Sequence, residues 1–415
     1  MIDMNIYKYN NSILVSTKDL NFEKITEEEA KGFSSLVYYL DYKPLDSFRS
    51  YFKINSLKDL EEESINTLKK SHVEASSFYP SILKEAIDNN CGFFINLANK
   101  NFKELINPCK KDKFRINIVG LGDVGGTLLT GIRLLGGEVV HSIGIFDLDK
   151  NKVDRWVFEG NQILDINNPC APTIEAIDEK DLFNCDMFVF CVSVGVPEVG
   201  KEHSDVRLIQ FEGNKKILSL YSKKARESEF KGIFSVVSDP VDLLCKVAFN
   251  ESNKDSNGEF DYKGLLSHQI RGYGLGVMNA RANYFAMESP STKNYIQEGR
   301  AFGPHGEGLI IANSIKKYDE SLSDDLTEKT KTANLQVRKA GFKPYIAPAL
   351  SSGALSLLAT LKSQWHYSAT FLGGTFMGCK NKMILNGTEI ETYDFPALLF
   401  KKLENTYNYL NSIYK

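Results

Sequence analysis

The residue in this chain best suited to moving a proton is His305, in A-F-G-P-H-G-E-G (301–308). It is one of six histidines among 415 residues. Pro304 precedes it directly, and glycines stand at 303, 306 and 308. An imidazole both gives and takes a proton near neutrality, so His305 is a candidate general acid–base. A histidine between glycines is also an ordinary turn residue, and the local sequence does not choose between the two.

A second stretch suits phosphate. In G-L-G-D-V-G (120–125), Gly120, Gly122 and Gly125 frame Asp123 and Val124. A lone pattern of this kind is weak, but its surroundings fit. The β-rich run R-I-N-I-V-G (115–120) precedes it, the helix-like T-L-L-T-G-I-R-L-L (127–135) follows, and Gly136-Gly137 can end that helix. A second β-rich run then finishes in Asp147, 22 residues past Gly125. Gly120 permits a tight turn, Gly122 lets backbone approach a pyrophosphate, and Gly125 lets helix and strand pack closely. The helix N-terminus offers free N–H groups to the anion. A carboxylate at 147 accepts hydrogen bonds from both ribose hydroxyls and repels a 2′-phosphate, which predicts NAD rather than NADP.

The elements that must carry these residues fall into three parts. Residues 114–250 hold four apolar runs, 115–120, 141–147, 186–194 and 232–238, separated by helix-like stretches at 127–135, 151–163 and 211–225. Runs without strict alternation suit strands buried on both faces of a parallel sheet. The alternation predicts an α/β fold with a right-handed, doubly wound parallel sheet of the Rossmann type over 111–250. An α+β catalytic domain is expected over 251–415, opening on an exposed polar loop at 251–260. An extra N-terminal domain is expected over 1–110. Within it, I-Y-K-Y-N-N-S-I-L-V-S reads as two strands about an Asn-Asn turn. I-T-E-E-E-A-K-G-F-S-S-L-V-Y-Y-L (25–40) reads as an amphipathic acidic segment with a capping box from Thr26 to Glu29. C-K-K-D-K (109–113) is the expected linker. Packing or an oligomer contact is the expected task of the first part.

Composition excludes several classes. The formal net charge is −3, from 50 Lys and Arg against 53 Asp and Glu, so no nucleic-acid partner is expected. No apolar run reaches the roughly 18 residues of a membrane span. The N-terminus lacks a signal peptide's basic head and apolar core. The seven cysteines form no C-x-x-C pair, and several lie in apolar runs. That predicts reduced thiols in a cytoplasmic protein and no metal site.

From residue 115 onward, the order of motifs resembles the lactate/malate dehydrogenase family. The carrying stretches are G-L-G-D-V-G (120–125), I-F-D-L-D (145–149), V-S-V-G-V-P (192–197), V-V-S-D-P-V-D-L-L (236–244), G-Y-G-L-G-V-M-N-A-R (272–281) and G-P-H-G-E-G (303–308). They span about 200 residues, and residues 1–110 lie outside them. The resemblance implies an NAD-dependent dehydrogenase that reduces a 2-oxo acid to a 2-hydroxy acid, and a homo-oligomer. It implies His305 as the proton donor and Arg281 as a bidentate clamp on the substrate carboxylate. Arg207, in the polar loop after V-G-V-P and seven residues before Asn214, would polarise the reacting carbonyl. Ser351 and Ser352 fall near the family's substrate-side hydroxyl.

The chain also departs from the family. Three residues before its carboxylate-binding arginine the family has an aspartate that orients the histidine; here Met278 stands there. The family's S-N-P is S-D-P, with Asp239 in place of a substrate- and cofactor-facing asparagine. One carboxylate is lost and another gained beside the same pocket. An exchange is therefore expected, in which Asp239 partners His305; capping the turn before Pro240 is the alternative. Where the family sets a selectivity residue after V-P, this chain has Glu198, in a loop about three residues longer that also holds His203. A carboxylate there would disfavour a dicarboxylate substrate. The rival reading is a non-catalytic NAD(H)-binding sensor, which Met278 favours; His305, Arg281 and Arg207 in register favour the enzyme.

Overall fold

The structure is a computed structural model that describes residues 4–31, 36–71, 78–108, 111–166, 169–194, 206–385 and 387–413, without the side chains of 206–209. In chain order its strands are β1 (Asn5–Tyr9), β2 (Ser12–Ser16), β3 (Glu23–Ile25), β4 (Leu36–Asp41), β5 (Tyr51–Lys53), β6 (Gly92–Asn96), β7 (Phe114–Val119), β8 (Val140–Phe146), β9 (Thr173–Ala176), β10 (Met187–Phe190), β11 (Ile233–Val236), β12 (Ile270–Gly272), β13 (Arg300–Phe302), β14 (Ile310–Ala312), β15 (His366–Leu372), β16 (Thr375–Ile384) and β17 (Gly387–Ile390). All but β13 and β14 join one 15-stranded sheet, ordered β3-β1-β2-β4-β6-β5-β17-β16-β15-β12-β11-β10-β7-β8-β9.

The stretch β12-β11-β10-β7-β8-β9 is parallel throughout. Counted within the unit, its order is 3-2-1-4-5-6 read from the β9 side, that of a doubly wound dinucleotide fold. Its strands are apolar on both faces because helices cover both. Phe188, Phe190, Phe234 and Val236 pack toward the helices Val206–Glu227 and Val241–Ser252. Met187, Val189, Ile116 and Ile118 pack toward the helix Asp123–Leu135 and residues near Leu357. The helix Lys150–Asn161 returns the chain from β8 to β9.

The sheet turns antiparallel where β12 meets β15, at Gly272 opposite Ala369, and stays so through β16 and β17. It then passes to the N-terminal strands through a parallel contact between Thr388 and Phe52. In that N-terminal part β2, β4 and β6 are parallel, and β1 and β5 run against them. Asn10, at φ 51°, turns the β1–β2 hairpin. The Thr26 capping box is present, but it starts only the four-residue helix Glu27–Ala30. The amphipathic reading of 25–40 therefore fails in its second half, because Leu36–Asp41 is strand β4. V-Y-Y-L is rich in β-branched and aromatic side chains; it pairs with β2 and β6, and its two faces are buried in separate clusters, Val37 and Tyr39 on one and Tyr38 and Leu40 on the other.

Candidate active site

The glycine-rich turn follows β7. Gly120 has φ +92°, and a Cβ there would lie 2.8 Å from the Val192 nitrogen at the end of β10. Only glycine fits that conformation and that gap. A Cβ at Gly125 would meet the Gly120 carbonyl oxygen at 1.9 Å, so the helix Asp123–Leu135 packs against the turn itself. Gly122 is different: a Cβ there meets nothing within 4 Å. The space before the helix N-terminus is open, as an approaching pyrophosphate requires. Asp123 is exposed in the first helical turn, 3.1 Å from Lys343 Nζ, and Val124 is half-buried beside it. Asp147, just past β8, accepts the Leu121 N–H at 2.8 Å and the Asp149 N–H at 2.9 Å. These bonds fix its carboxylate beside the glycine turn, where a ribose joined to that pyrophosphate would lie. Gly120, Gly122, Gly125 and Asp147 thus fit a dinucleotide.

The residues suited to proton transfer lie past the neighbouring strand ends. β13 leads into the His305 frame, and Gly303, Gly306 and Gly308 all have positive φ, at +84°, +143° and +85°. The frame folds tightly: Gly306 N–H reaches the Pro304 carbonyl at 2.9 Å, and Leu309 N–H reaches that of Gly306 at 3.1 Å. A Cβ at Gly274 would lie 3.1 Å from His305 Cβ, so the ring's base sits against the start of the helix Leu275–Ala286. His305 Nδ1 lies 2.9 Å from Asp239 Oδ1. A carboxylate can only accept, so Nδ1 carries the hydrogen and Nε2 is left for a ligand. The His305 side chain is 17% exposed and that of Asp239 47%. Asp239 itself is held by its carbonyl, which accepts Asn214 Nδ2–H at 2.7 Å. Asn214 Oδ1 in turn accepts the Val194 N–H at 2.9 Å.

Arg281 lies on the helix Leu275–Ala286, one turn after Met278. Met278 is buried, and its sulfur is 3.6 Å from Arg281 Nη1. Among the described residues no carboxylate pairs with this guanidinium. Burial depresses the Arg281 pKa, and the nearby Asp239 charge opposes that shift. A half-buried cation with a thioether for a neighbour suits an incoming anion. Ser352 lies in a π-helical turn, Pro348–Ala354. Its buried hydroxyl donates to the Gly274 carbonyl at 2.7 Å and accepts the Val277 N–H at 2.8 Å, joining that turn to the Arg281 helix. Ser351 is half-buried, and its carbonyl accepts the Ser356 hydroxyl. Glu198 and His203 lie outside the described residues. Arg207 was expected in a loop, but its backbone belongs to the first turn of the helix Val206–Glu227; its side chain is outside the described set.

One acidic residue of the quoted 236–244 stretch was given no role from sequence. Asp242 is 5% exposed and accepts the Gly378 N–H at 3.0 Å. Burial pushes its pKa up to about 7, against the pull of its backbone hydrogen bonds and of the nearby His305. Its signal was a single acid inside the apolar run V-D-L-L-C-K-V-A-F (241–249). Among the described residues no group of three His, Cys, Asp or Glu could hold a metal, and no helix is long and apolar enough to cross a membrane.

A 3-2-1-4-5-6 parallel sheet, a glycine turn open at Gly122 and a fixed carboxylate at its second strand end define a dinucleotide-binding protein. Comparison with known proteins narrows the class. Residues 114–260 match the lactate/malate dehydrogenase NAD-binding domain. The malate dehydrogenase of Sulfurimonas denitrificans is 27% identical over 285 residues, covering 63% of this chain and 80% of that protein. The L-lactate dehydrogenase 2 of Staphylococcus aureus is 22% identical over 251 residues, 57% of this chain and 73% of that one. In fold, the malate dehydrogenase of Archaeoglobus fulgidus, solved with NADH, superposes with a TM-score of 0.57 at 18% identity, over 71% of this chain and 97% of its own. Residues 114–260 thus carry the lactate/malate dehydrogenase NAD-binding domain, preceded by an additional N-terminal region, and the cofactor is NAD.

Proposed function

We propose that the chain is an NAD-dependent dehydrogenase that interconverts a 2-oxo acid and a 2-hydroxy acid. The observation that carries this reading is one constellation: the His305–Asp239 pair at 2.9 Å beside an Arg281 that has no carboxylate partner among the described residues. Gly120, Gly122, Gly125 and Asp147, with Asp123 and Val124 in the helix's first turn, would hold the dinucleotide. When bound, its nicotinamide supplies or accepts the hydride. Arg281 grips the substrate carboxylate with its planar fork. In reduction, His305 would deliver the Nε2 proton to the C2 oxygen of the substrate. Asp239 holds the ring through Nδ1. In oxidation the same proton returns to Nε2. Arg207 polarises the carbonyl, Ser351 supplies the substrate-side hydroxyl, and Glu198 disfavours dicarboxylates. Three units, 1–110, 111–250 and 251–415, share the one sheet, with the catalytic residues in the last two.

Met278, buried where the family carries an aspartate, favours a second reading as a non-catalytic NAD(H)-binding sensor. One experiment separates the two. The protein is offered NADH and a panel of monocarboxylic and dicarboxylic 2-oxo acids, and absorbance at the NADH band is followed. Turnover with a monocarboxylic member, abolished in His305→Gln while NADH still binds, is the expected result. Arg281→Lys should cost about 2–4 kcal/mol in kcat/KM, because the charge stays but the fork is lost. NADH binding without turnover on any acid would establish the sensor instead.

A further inference from the structure

His305 is held from one side by its glycine frame, and that frame is itself held by a strand. The Gly303 N–H donates to the Gly378 carbonyl at 2.9 Å, across from β13 to β16. Gly378 lies on the part of β16 that β17 does not cover, since β17 pairs only with Asn381–Ile384. Its polar groups would be orphaned there in a dry interior. The carbonyl is taken by Gly303 and the N–H by the buried carboxylate of Asp242. The approach is too close for any side chain at 378: a Cβ would lie 2.3 Å from the Gly303 oxygen.

Asp242 begins a helix, and an acid in a first turn is ordinarily explained by the helix dipole alone. That explanation calls for an exposed side chain near the helix axis. This one is 5% exposed and, beside its own backbone N–H, accepts that of Gly378 on β16. It also sits three residues after Asp239 in the same S-D-P-V-D segment. The segment therefore meets the histidine twice, directly through Asp239 and indirectly through Asp242, Gly378 and Gly303.

We propose that Asp242 is a positioning residue for His305: its hydrogen bond to Gly378 sets the place of β16, and β16 sets the frame in which the imidazole meets Asp239. The proposal deepens the dehydrogenase reading and rests on it for its effect on rate; the effect on the histidine stands apart from turnover. Two readouts keep them distinct. The Nδ1 proton shared by His305 and Asp239 is followed by NMR in histidine-labelled full-length protein, with His305→Gln assigning the signal. The kcat and KM for the active 2-oxo acid are measured beside NADH affinity.

Asp242→Ala should remove or broaden the His305 signal. It should also lower kcat on the order of 10- to 100-fold, the usual cost of a small misplacement, with KM and NADH affinity little changed. Asp242→Asn keeps an oxygen for the Gly378 N–H and should restore both. An unchanged signal and kcat in Asp242→Ala would overturn the proposal, as would an Asn variant as damaged as the Ala variant. If the Ala variant does not fold, Asp242→Asn decides alone, because losing the signal with the acceptor retained contradicts the role. If no acid is turned over, the NMR comparison still decides for or against the positioning.

Discussion

Asp239 and Asp242 are three residues apart, yet their surroundings assign them different tasks. Asp239 is nearly half exposed and bonded to His305, so on the dehydrogenase reading its contribution is the orientation of the ring. Asp239→Asn should lower kcat for 2-oxo-acid reduction with NADH affinity little changed; an unchanged kcat would leave Asp239 as a turn residue only. Asp242 is read in stability instead. Its folded pKa, about 7, is raised above the ordinary 3.8. The folded state therefore holds a proton that the unfolded state releases, and stability falls as pH rises from about 4 to 7. The lost stability amounts to as much as roughly 4 kcal/mol above pH 7. Asp242→Asn cannot ionise, so its gain in denaturant midpoint over the parent protein should be larger at pH 8 than at pH 5. Equal gains at the two pH values would show that Asp242 does not titrate in this window.

The glycine turn makes a contrast between neighbours. A methyl at Gly122 meets nothing within 4 Å, whereas a methyl at Gly125 meets the Gly120 oxygen at 1.9 Å. Gly122→Ala should therefore keep its thermal midpoint within a few degrees and weaken NADH binding, because the methyl occupies the space of the ligand. Gly125→Ala should lower the midpoint before any ligand is added. Calorimetry with and without NADH tests both, and a Gly122→Ala protein that binds NADH normally would move the pyrophosphate elsewhere. This element was readable in sequence because strand, turn, helix and distal carboxylate are local and ordered. The π-helical turn Pro348–Ala354 was not. Its path follows packing of Gly131 beside Ala354 and Leu350, and the Ser352 bonds to another helix.

Across the molecule, the N-terminal part is joined to the rest by buried charge as well as by backbone pairing. Arg49 Nε is 3.1 Å from Glu63 Oε2, with both side chains nearly inaccessible, and Glu63 Oε1 accepts the Gly373 N–H at the turn between β15 and β16. Lys53 and Glu389 pair at 2.9 Å across the β5–β17 junction. Burial raises the Glu63 pKa, with Arg49 opposing, so the pair holds only while both partners are present. Glu63→Ala leaves Arg49 buried without its partner and should cost about 3–5 kcal/mol. Urea unfolding followed by far-UV circular dichroism should show it as one shifted transition. A separate early transition would mean that the N-terminal part unfolds on its own.

Short-range chemistry was legible before any coordinates. Buried β-rich runs, the 120–125 glycines and the glycines around His305 are each read within a few neighbouring residues, and the spacing to Asp147 within one β-α-β unit. The exchange of Met278 for Asp239 was visible only as a loss and a gain, since sequence cannot say that residues 66 apart meet at 2.9 Å. Residues 36–41 became a strand because two flanking strands were there to pair with it. Asp242 had no role legible in sequence, because its partner Gly378 lies 136 residues away on β16. Strand pairing and burial join groups distant along the chain, and in a low-dielectric interior the partner that arrives decides what a carboxylate does.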